Sequence, residues 1–223
     1  LACPFQCVFC NQEKITSRGH IPSIPETRKT IDEYLNSFPK GVKHVEIGFF
    51  GGNFTGIPMD DQEKYLEVAF SYLEKGIVQG IRLSTRPDYI DEKVLHLLKK
   101  LGMTTIELGA QSLDDEVLMQ CERGHTAMDV EMASQMITAA GFRLGLQMMI
   151  GLPGDTLEKS KMTARKIIEL GAVETRIYPV LVIKGTVMEE WYHQGKYEPL
   201  SIDESVAWLK ELIPLFEDAG VEV

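Results

Sequence analysis

Hydrophobic and polar positions along this chain follow one recurring pattern. An amphipathic stretch of helical period ends at a glycine, and a short run rich in apolar and β-branched residues follows it. Glycine is favoured directly after a helix because it adopts the left-handed conformation without a Cβ penalty. The pattern recurs at Gly76, Gly102, Gly141, Gly171 and Gly220. Repeated in this way, it predicts βα units and a parallel sheet.

The pattern also gives approximate element boundaries. It predicts strands near residues 44–50, 80–86, 104–109, 143–150 and 175–182. It predicts helices near residues 27–38, 59–75, 91–101, 113–122, 126–140, 157–170 and 202–219. Before the first of these helices we expect a polar loop that contains Pro22 and Pro25 and could fold over a ligand. Periodicity alone does not separate a doubly wound sheet from a barrel.

Composition narrows the class of protein. With 223 residues, 44% hydrophobic and 25% charged, the chain is an ordinary globular sequence that can form one domain. No apolar run approaches the ~18 residues of a membrane span, and no signal peptide is evident. The net charge of −10 disfavours a broad nucleic-acid footprint. The first residue is not Met and the last few, from Gly220, resemble the start of a strand, so we expect a piece of a longer polypeptide.

Three of the four cysteines lie within the first ten residues, as Cys3, Cys7 and Cys10. Thiols this close together are more often metal ligands than disulfide partners, and they indicate a reducing cytoplasm. Zinc would require a fourth ligand, for which His20 is available. An iron–sulfur cluster can be held by three thiolates with one iron left open. The spacing does not choose between the two metals.

Glycines and polar residues gather where the predicted strands end, which is where parallel sheets and barrels bind ligands. Gly51 and Gly52 would let backbone approach a ligand, although a tight turn explains them equally well. The polar residues at these ends are Asn53, Ser84, Arg86, Glu107, Gln111 and Gln147. Each has an ordinary explanation as a satisfied core group or, for Arg86, a surface ion pair. Their recurrence at equivalent strand ends predicts a shared site.

The cysteine loop, with the aromatic Phe9 before its last cysteine, resembles the cluster loop of the radical S-adenosylmethionine (SAM) superfamily. The motifs that follow in order are Gly51-Gly52, Ser84–Asp88, Glu107–Ser112, Arg123–His125 and Gly151–Gly154. They resemble the branch that contains oxygen-independent coproporphyrinogen III oxidase and, more closely, the radical SAM half of Elongator's catalytic subunit. The resemblance covers nearly the whole chain.

The resemblance implies a fold, two cofactors and a reaction. The fold is α/β, a partial (β/α)6 TIM-like barrel, with residues 1–223 as a single radical SAM domain. Cys3, Cys7 and Cys10 would hold a [4Fe–4S] cluster whose open iron chelates SAM. With an electron from an external flavodoxin- or ferredoxin-type donor, SAM is cleaved to methionine and a 5′-deoxyadenosyl radical, which abstracts hydrogen from the substrate.

The resemblance also implies roles for individual residues. Gly51 and Gly52 would present backbone to the methionine amino group, and the backbone at Phe9, Gly151 and Leu152 would hold adenine. Gln111 and Arg123 match residues that contact SAM, with Arg123 on its carboxylate, a charge-assisted pairing. Asn53, Ser84, Arg86, Glu107 and Gln147 complete the expected cofactor-binding set. Ser84 and Gln147 are neutral where the oxidase branch carries Glu and Asp.

The implied substrate is nucleotide-like, either a tRNA base or a small molecule. The acidic charge favours a small molecule, or RNA delivered by another domain. Nothing in the sequence resembles Elongator's acetyltransferase domain, so wobble-uridine carboxymethylation does not follow. Two alternatives stay open: a zinc-binding interaction module that uses His20, and a catalytically silent barrel that serves as a scaffold.

Other residues receive more ordinary interpretations. Cys121 is predicted to be a helix residue rather than a ligand, and His125 to support Arg123. Tyr178 and Lys184, placed on the last strand, are candidates to face the substrate. The aromatic segment 191–197 is expected to be mobile and to form a lid or an interface.

Overall fold

A single parallel sheet organises the molecule. The computed structural model describes residues 3, 5–16 and 21–223. Its strands are β1 (Glu46–Phe49), β2 (Gly80–Thr85), β3 (Thr105–Gln111), β4 (Arg143–Ile150) and β5 (Glu174–Pro179). Neighbouring strands are all parallel, and their order in the sheet equals their order in the sequence. All five strands therefore end on the same side of the molecule.

Helices connect the strands. In the described part of the chain they are α1 (Gln12–Thr16), α2 (Ile24–Ser37), α3 (Met59–Glu74), α4 (Glu92–Lys100), α5 (Asp115–Gln120), α6 (Ala127–Ala139), α7 (Leu157–Glu169), α8 (Val187–His193) and α9 (Ile202–Asp218). Every predicted strand and helix is present, with boundaries that agree to within three residues. Within the described ranges, no helix is long and apolar enough to cross a bilayer.

The sheet is curled, so that side chains from its distant strands meet on the concave inner face. Arg82 of β2 donates a hydrogen bond to the carboxylate of Glu174 on β5. The guanidinium carbon of Arg176 on β5 lies 4.7 Å from the centroid of the Phe50 ring, which follows β1. Beyond β5, Glu222 forms a parallel bridge to Glu174 and marks the position of a sixth strand. The predicted partial barrel is confirmed as a five-stranded half-barrel.

The hydrophobic core lies between the outer face of this sheet and the helices. Its largest fully buried strand residues are Ile81, Leu83, Ile106, Leu108, Leu144, Leu146, Met148 and Ile150. Phe216 of α9 and Ile137 of α6 are also fully buried and belong to the same cluster. Side chains alternate between the two faces of a strand, so the polar residues between these positions point into the concave side.

Two parts of the chain differ from the prediction. Helix α2 begins at Ile24, where Ser23 and Glu26 form a capping box and Pro25 lies in the first turn. The predicted loop is therefore wrong at Pro25, because proline is tolerated where the helix leaves its first N–H groups unpaired. Lys184 lies beyond the end of β5, so its placement on that strand is also wrong.

Helices α1 and α8 do not follow from the periodicity. They have five and seven residues, too few for a 3.6-residue period to show. Helix α8 contains the first part of the aromatic segment 191–197. The last residue of that segment, Tyr197, donates its hydroxyl to the Gly151 carbonyl over 2.6 Å.

Candidate active site at the strand ends

The cysteine loop is fixed between two helices. Cys7, Val8 and Phe9 are buried, while Cys3 and Cys10 are half-buried. The Cys10 N–H donates to the Cys7 carbonyl at 2.9 Å, which closes a tight turn between two of the thiols. Val8 donates its N–H to the Cys121 carbonyl at the end of α5 and accepts from the Met188 N–H at the start of α8. The backbone of the loop is therefore anchored to α5 and α8.

Nitrogen donors lie beside two of the thiols. Gln12 Nε2 donates to Cys10 Sγ at 3.3 Å, and an Arg123 Nη donates to Cys7 Sγ at 3.5 Å. Burial raises the pKa of the Cys10 thiol, and the hydrogen bond from Gln12 opposes that rise. N–H donors on sulfur favour the thiolate, which is the form that ligates metals.

The donor set fits an iron–sulfur cluster by its chemistry, because all three side chains are thiols. Among the residues that the structure describes, however, no group of three or more His, Cys, Asp or Glu side chains is close enough to hold a metal ion. His20, the fourth ligand of the zinc alternative, lies outside the described residues.

Cys121 is near this loop in space, but its thiol is more deeply buried than those of Cys3 and Cys10. It is the C-cap of α5 and is almost completely buried. Burial, with a smaller contribution from Cys7, raises the pKa of its thiol to about 12. A neutral buried thiol of this kind is unreactive and binds metals poorly, as the prediction for Cys121 requires.

Arg123 joins the cysteine loop to the end of β3. Its guanidinium donates to the Gly109 carbonyl at 2.7 Å with one nitrogen and reaches Cys7 Sγ with another. A Cβ on Gly109 would lie 3.1 Å from the Arg123 side chain and 2.9 Å from the amide nitrogen of Gln111. Glycine at this position therefore lets Arg123 and Gln111 converge.

Gln111 has an unusual backbone. The register between β3 and β4 shifts between Gly109 and Gln111, and Gln111 has a φ of 68°. A residue other than glycine rarely adopts that conformation without a reason of packing or function. The side-chain oxygen of Gln111 is buried and has no hydrogen-bond partner in the described part of the chain. Together these features direct a polar amide toward the site that Arg123 borders.

The turn after β1 forms the opposite side of the site. Gly51 and Gly52 have φ values of 101° and 142°, which glycine adopts without strain. The buried Asn53 accepts hydrogen bonds on its side-chain oxygen from the Thr85 hydroxyl at 2.6 Å and the Arg86 N–H at 3.3 Å. Asn53 thereby fastens the glycine turn to the end of β2.

A cavity of about 250 Å³ opens beside this turn. Thr27, Thr30 and Ile31 of α2 form one side of it. The sheet side is formed by residues of β1 and the adjoining strand ends, namely Ile47, Gly48, Phe49, Phe50, Gly51, Gly52, Asn53 and Ser84. The predicted residues Gly51, Gly52, Asn53 and Ser84 therefore share one cavity.

Arg86 is neither a surface ion pair nor an open anion site. Its side chain is 2% exposed and makes two hydrogen bonds to the carboxylate of Asp88, at 2.8 and 3.0 Å. The ring of Phe5 stacks 4.0 Å from its guanidinium carbon. The close approach of this ring also excludes a Cβ at Gly124, which would lie 2.4 Å away. Arg86 thus supports the cysteine loop through Phe5.

The turn after β4 is held from both sides. Asp155 accepts the Gly151 N–H at 3.0 Å, and Tyr197 donates to the Gly151 carbonyl. Leu152 is buried in the same small apolar cluster as Cys7 and Phe9. The residues that the resemblance places around adenine, Phe9 and Leu152, are therefore brought together.

Glu107 stands apart from this group. It lies two residues before Gly109 on β3, where Arg176 Nε approaches it at 3.2 Å and an Arg82 nitrogen at 3.6 Å. Burial raises the pKa of Glu107, against the opposing effect of the two arginines. Gln147 occupies the inner face of β4 between Gly109 and Arg176 in register. Glu107 therefore contacts cations inside the half-barrel rather than the cysteine loop.

His125 carries no charge at neutral pH. Its Nε2 lies 3.2 Å from the Ala110 carbonyl, a geometry in which Nε2 is the donor. Burial, followed by the nearby charges of Arg123 and Arg86, lowers its pKa to about 3. A neutral ring that donates to the Ala110 carbonyl agrees with a supporting role.

Several residues of the site do not follow from the sequence reasoning. They are Phe5, Gln12, Phe50, Arg82, Asp155, Arg176 and Tyr197. The alternation of Glu174, Arg176 and Tyr178 along β5 is a signal that could have revealed Arg176. Contacts such as Tyr197 to Gly151, which lie 46 residues apart, leave no local signal.

Two family models match the chain. The model of the radical SAM superfamily matches residues 1–167, and that of the radical SAM C-terminal domain matches residues 174–223. The chain belongs to the radical SAM superfamily. Its members are enzymes that use a [4Fe–4S] cluster and SAM.

Curated relatives fall in the branch that the motifs indicate. A tRNA uridine(34) acetyltransferase of Methanocaldococcus jannaschii is 36% identical over 255 aligned residues, which cover 95% of this chain and 47% of the relative. Elongator complex protein 3 of Schizosaccharomyces pombe is 28% identical, with 89% of this chain and 39% of the relative covered. The radical SAM chain thus spans about half or less of the length of these relatives.

Solved structures agree on the fold. Elp3 of the archaeon Methanocaldococcus infernus, with its N-terminus deleted, superposes with a TM-score of 0.72 at 28% identity, over 86% of this chain and 49% of that one. Coproporphyrinogen III oxidase of Escherichia coli gives a TM-score of 0.66 at 18% identity, over 98% and 51%. At that identity the second comparison supports the half-barrel fold alone.

Proposed function

We propose that this domain binds a [4Fe–4S] cluster through Cys3, Cys7 and Cys10 and uses SAM to abstract hydrogen from a nucleotide substrate. The observation that carries the proposal is the position of Arg123. Its guanidinium contacts both Cys7 Sγ and the Gly109 carbonyl, so the cysteine loop lies directly on the strand ends. With cluster and SAM bound, the site would supply reductive cleavage of SAM to a 5′-deoxyadenosyl radical.

The chain's own residues would bind and orient SAM. Arg123 carries the positive charge that a carboxylate requires, and Gln111 adds an unpaired buried amide oxygen beside it. Gly51 and Gly52 would present backbone groups to the amino end from the opposite side of the site. The backbone at Phe9, Gly151 and Leu152 would hold the adenine ring.

The substrate that we favour is a uracil base in tRNA. Three relatives are named for tRNA uridine(34), and one of them is 36% identical to this chain. The net charge of −10 suggests that regions outside this half-barrel would hold most of the RNA backbone. A flavodoxin- or ferredoxin-type protein would deliver the electron, and the clustered thiols favour the cytoplasm. Residues 1–223 would act as one radical SAM domain.

Anaerobic reconstitution tests the proposal. The protein would be loaded with iron and sulfide, reduced with dithionite in the presence of SAM, and assayed for 5′-deoxyadenosine. We expect a brown protein that forms 5′-deoxyadenosine and loses this activity in Cys7→Ala. The matched control is Cys121→Ala, which removes a nearby thiol that is neutral and buried, and it should keep the cluster.

The same experiment distinguishes the alternatives. A colourless protein that retains zinc and leaves SAM intact would establish the zinc-binding module. A brown protein that binds SAM without cleaving it would indicate a silent scaffold. Arg123→Ala separates binding from chemistry, because an enzyme should lose SAM affinity and a scaffold should show no functional change.

A further inference from the structure

A layer of charged side chains crosses the inside of the half-barrel beneath the proposed SAM site. The charged floor, as we name it, consists of Glu46, Arg82, Glu107, Glu174 and Arg176. Arg82 approaches all three carboxylates, while Arg176 approaches Glu107 only. The floor therefore joins four of the five strands through side chains alone.

Phe50 lies on top of this floor. Its ring is packed against β1, since a Cβ on Gly48 would lie 2.5 Å from a ring carbon. The guanidinium carbons of Arg176 and Arg82 lie 4.7 and 6.0 Å from the ring centroid. The ring nevertheless remains 49% exposed and lines the cavity that also borders Gly51 and Gly52. An apolar ring is thus open to a ligand next to the cofactor site.

Arg176 is held in place but keeps free donors. Its Nε is occupied by Glu107, and its cation lies against Phe50. Its side chain is 38% exposed, and its two terminal nitrogens have no partner among the described residues. A guanidinium fixed in this way loses little conformational entropy when it binds a carbonyl oxygen.

The charge of the floor limits which ligand it can bind. Three glutamates and two arginines leave no excess positive charge, so a phosphate or carboxylate gains little there. An exposed aromatic ring beside guanidinium donors suits a neutral, planar heterocycle that carries carbonyl acceptors. Uracil has this chemistry. Cytosine replaces one carbonyl with an amino group, which the guanidinium would repel.

We infer that Phe50 and Arg176 form the substrate-binding surface for a uracil ring, with Glu107 as a positioning residue for Arg176. The inference rests on the proposed function, because it places the substrate ring beside the SAM site. It adds the residues that determine the specificity for the base. Phe50 would stack on the ring, and Arg176 would donate to the C4 carbonyl, which cytosine replaces with an amino group.

Titration of the reconstituted protein with uridine and with cytidine, followed by ligand-observed NMR, tests this surface. We expect uridine to bind more tightly than cytidine. Arg176→Met and Phe50→Leu should each weaken uridine binding about tenfold, the usual effect of losing one charged donor or one stacking ring. Arg143→Gln is the matched control, since Arg143 lies 3.9 Å from Glu174 at the far end of β4 and should bind uridine normally.

A second pair of variants tests the positioning role. Glu107→Gln removes the charge that holds Arg176 and should raise the KM for the uridine substrate with little change in kcat, whereas Glu107→Asp should partly restore it. If Arg176→Met does not fold, Arg176→Lys keeps the charge without the planar donor pair and should still lose the preference for uridine over cytidine.

The outcomes that overturn the inference are distinct from failure of the proposed function. Uridine binding that is absent, that is equal to cytidine binding, or that survives Arg176→Met would each refute the surface. Formation of 5′-deoxyadenosine in the absence of substrate does not require Phe50 or Arg176. A wild-type protein that forms none would therefore refute the proposed function, whereas the uridine titrations test the surface.

Discussion

The two faces of the sheet are built from the same five strands, yet they differ in almost every chemical respect. On the outer face, neighbouring strands present Leu83, Ile106 and Leu146, which are completely buried under helices. On the inner face, the alternate positions carry Arg82, Glu107 and other polar groups that contact one another across the half-barrel. Adjacent residues of a strand therefore have different roles: one side chain packs in the hydrophobic core, and the next faces the candidate site.

A buried charge at the strand ends departs from this contrast. Arg86 follows β2 and is as deeply buried as the outer-face residues, although it carries a charge. Two hydrogen bonds to the Asp88 carboxylate and the ring of Phe5 stabilise this buried charge. A group of this kind contributes to stability and to the position of the cysteine loop together.

Asp88→Asn should have the largest effect on stability, although Asp88 is polar and lies outside the apolar outer face. It leaves the Arg86 guanidinium buried without its counter-charge, a change that typically costs about 3–5 kcal/mol. Urea denaturation would measure the loss. Asp61→Asn removes an exposed partner of Lys64 and should cost under about 1 kcal/mol. Equal losses in the two variants would show that Arg86 does not depend on Asp88.

Neighbouring residues on β4 sharpen the contrast. Leu146→Ala removes a fully buried outer-face side chain and should lower the free energy of unfolding by about 2–5 kcal/mol. Gln147→Ala alters the inner face and should cost less than about 1 kcal/mol, while it weakens SAM binding. Thermal denaturation and SAM titration of both variants would check this. A large loss of stability in Gln147→Ala would contradict the division between the faces.

His125 should make stability depend on pH. Its pKa is about 3 in the folded protein, whereas the unfolded chain takes up this proton near 6.5. The unfolded state therefore binds more protons between these values, and stability falls as pH decreases through the window. The slope should be about 1.4 kcal/mol per pH unit below 6.5.

His125→Gln keeps a donor for the Ala110 carbonyl and should remove that part of the slope. Urea midpoints at pH 7 and pH 5 would show it, as a smaller difference in the variant than in the wild-type protein. Parallel pH dependences would mean that the folded protein protonates His125 as readily as the unfolded chain does.

Thr126→Ala should have the smallest effect of the set, and its effect should be confined to the helices outside the sheet. Thr126 and Asp129 form a capping box at the start of α6. Loss of the cap should cost about 1 kcal/mol without altering SAM binding. Thr138→Ala removes a hydroxyl that bonds only to the backbone within α6 and should be close to neutral. Reduced SAM affinity in Thr126→Ala would link the outer helices to the inner face.

Much of the fold could be predicted because its elements are long and regular. Strand β4 follows from a mostly apolar run between Gly141 and Gly151, and its predicted limits are those observed. Helices α3 and α7 follow from their period and from the glycines behind them. Helix α8 carries the signal Thr186-x-x-Glu189, but it is too short for its period to reveal it.

The site divides along a similar line. Gly51 and Gln111 could be named from the sequence because they stand at strand ends, whereas Arg123 was named through the resemblance to the radical SAM superfamily. Arg86 could be named as well, but its partner Phe5 lies 81 positions away and no local pattern connects them. The contacts within the charged floor could not be predicted either, because they depend on the curl of the sheet. Pairing rules specify which strands are adjacent and leave the curvature open.

The two backbone hydrogen bonds of Val8 have a consequence for cofactor loading. Its N–H donates to the Cys121 carbonyl at the end of α5 and its carbonyl accepts from the Met188 N–H at the start of α8, so the cysteine loop lies between these two helices. A ligand that stabilises the loop should therefore also stabilise its contacts with α5 and α8, because such coupling is reciprocal. Trp191 of α8 packs against the apolar cluster that includes Val8 and would report on the filling of the cysteine loop through its fluorescence. If the three cysteines hold the proposed cluster, the loop and α8 should gain stability together when it binds.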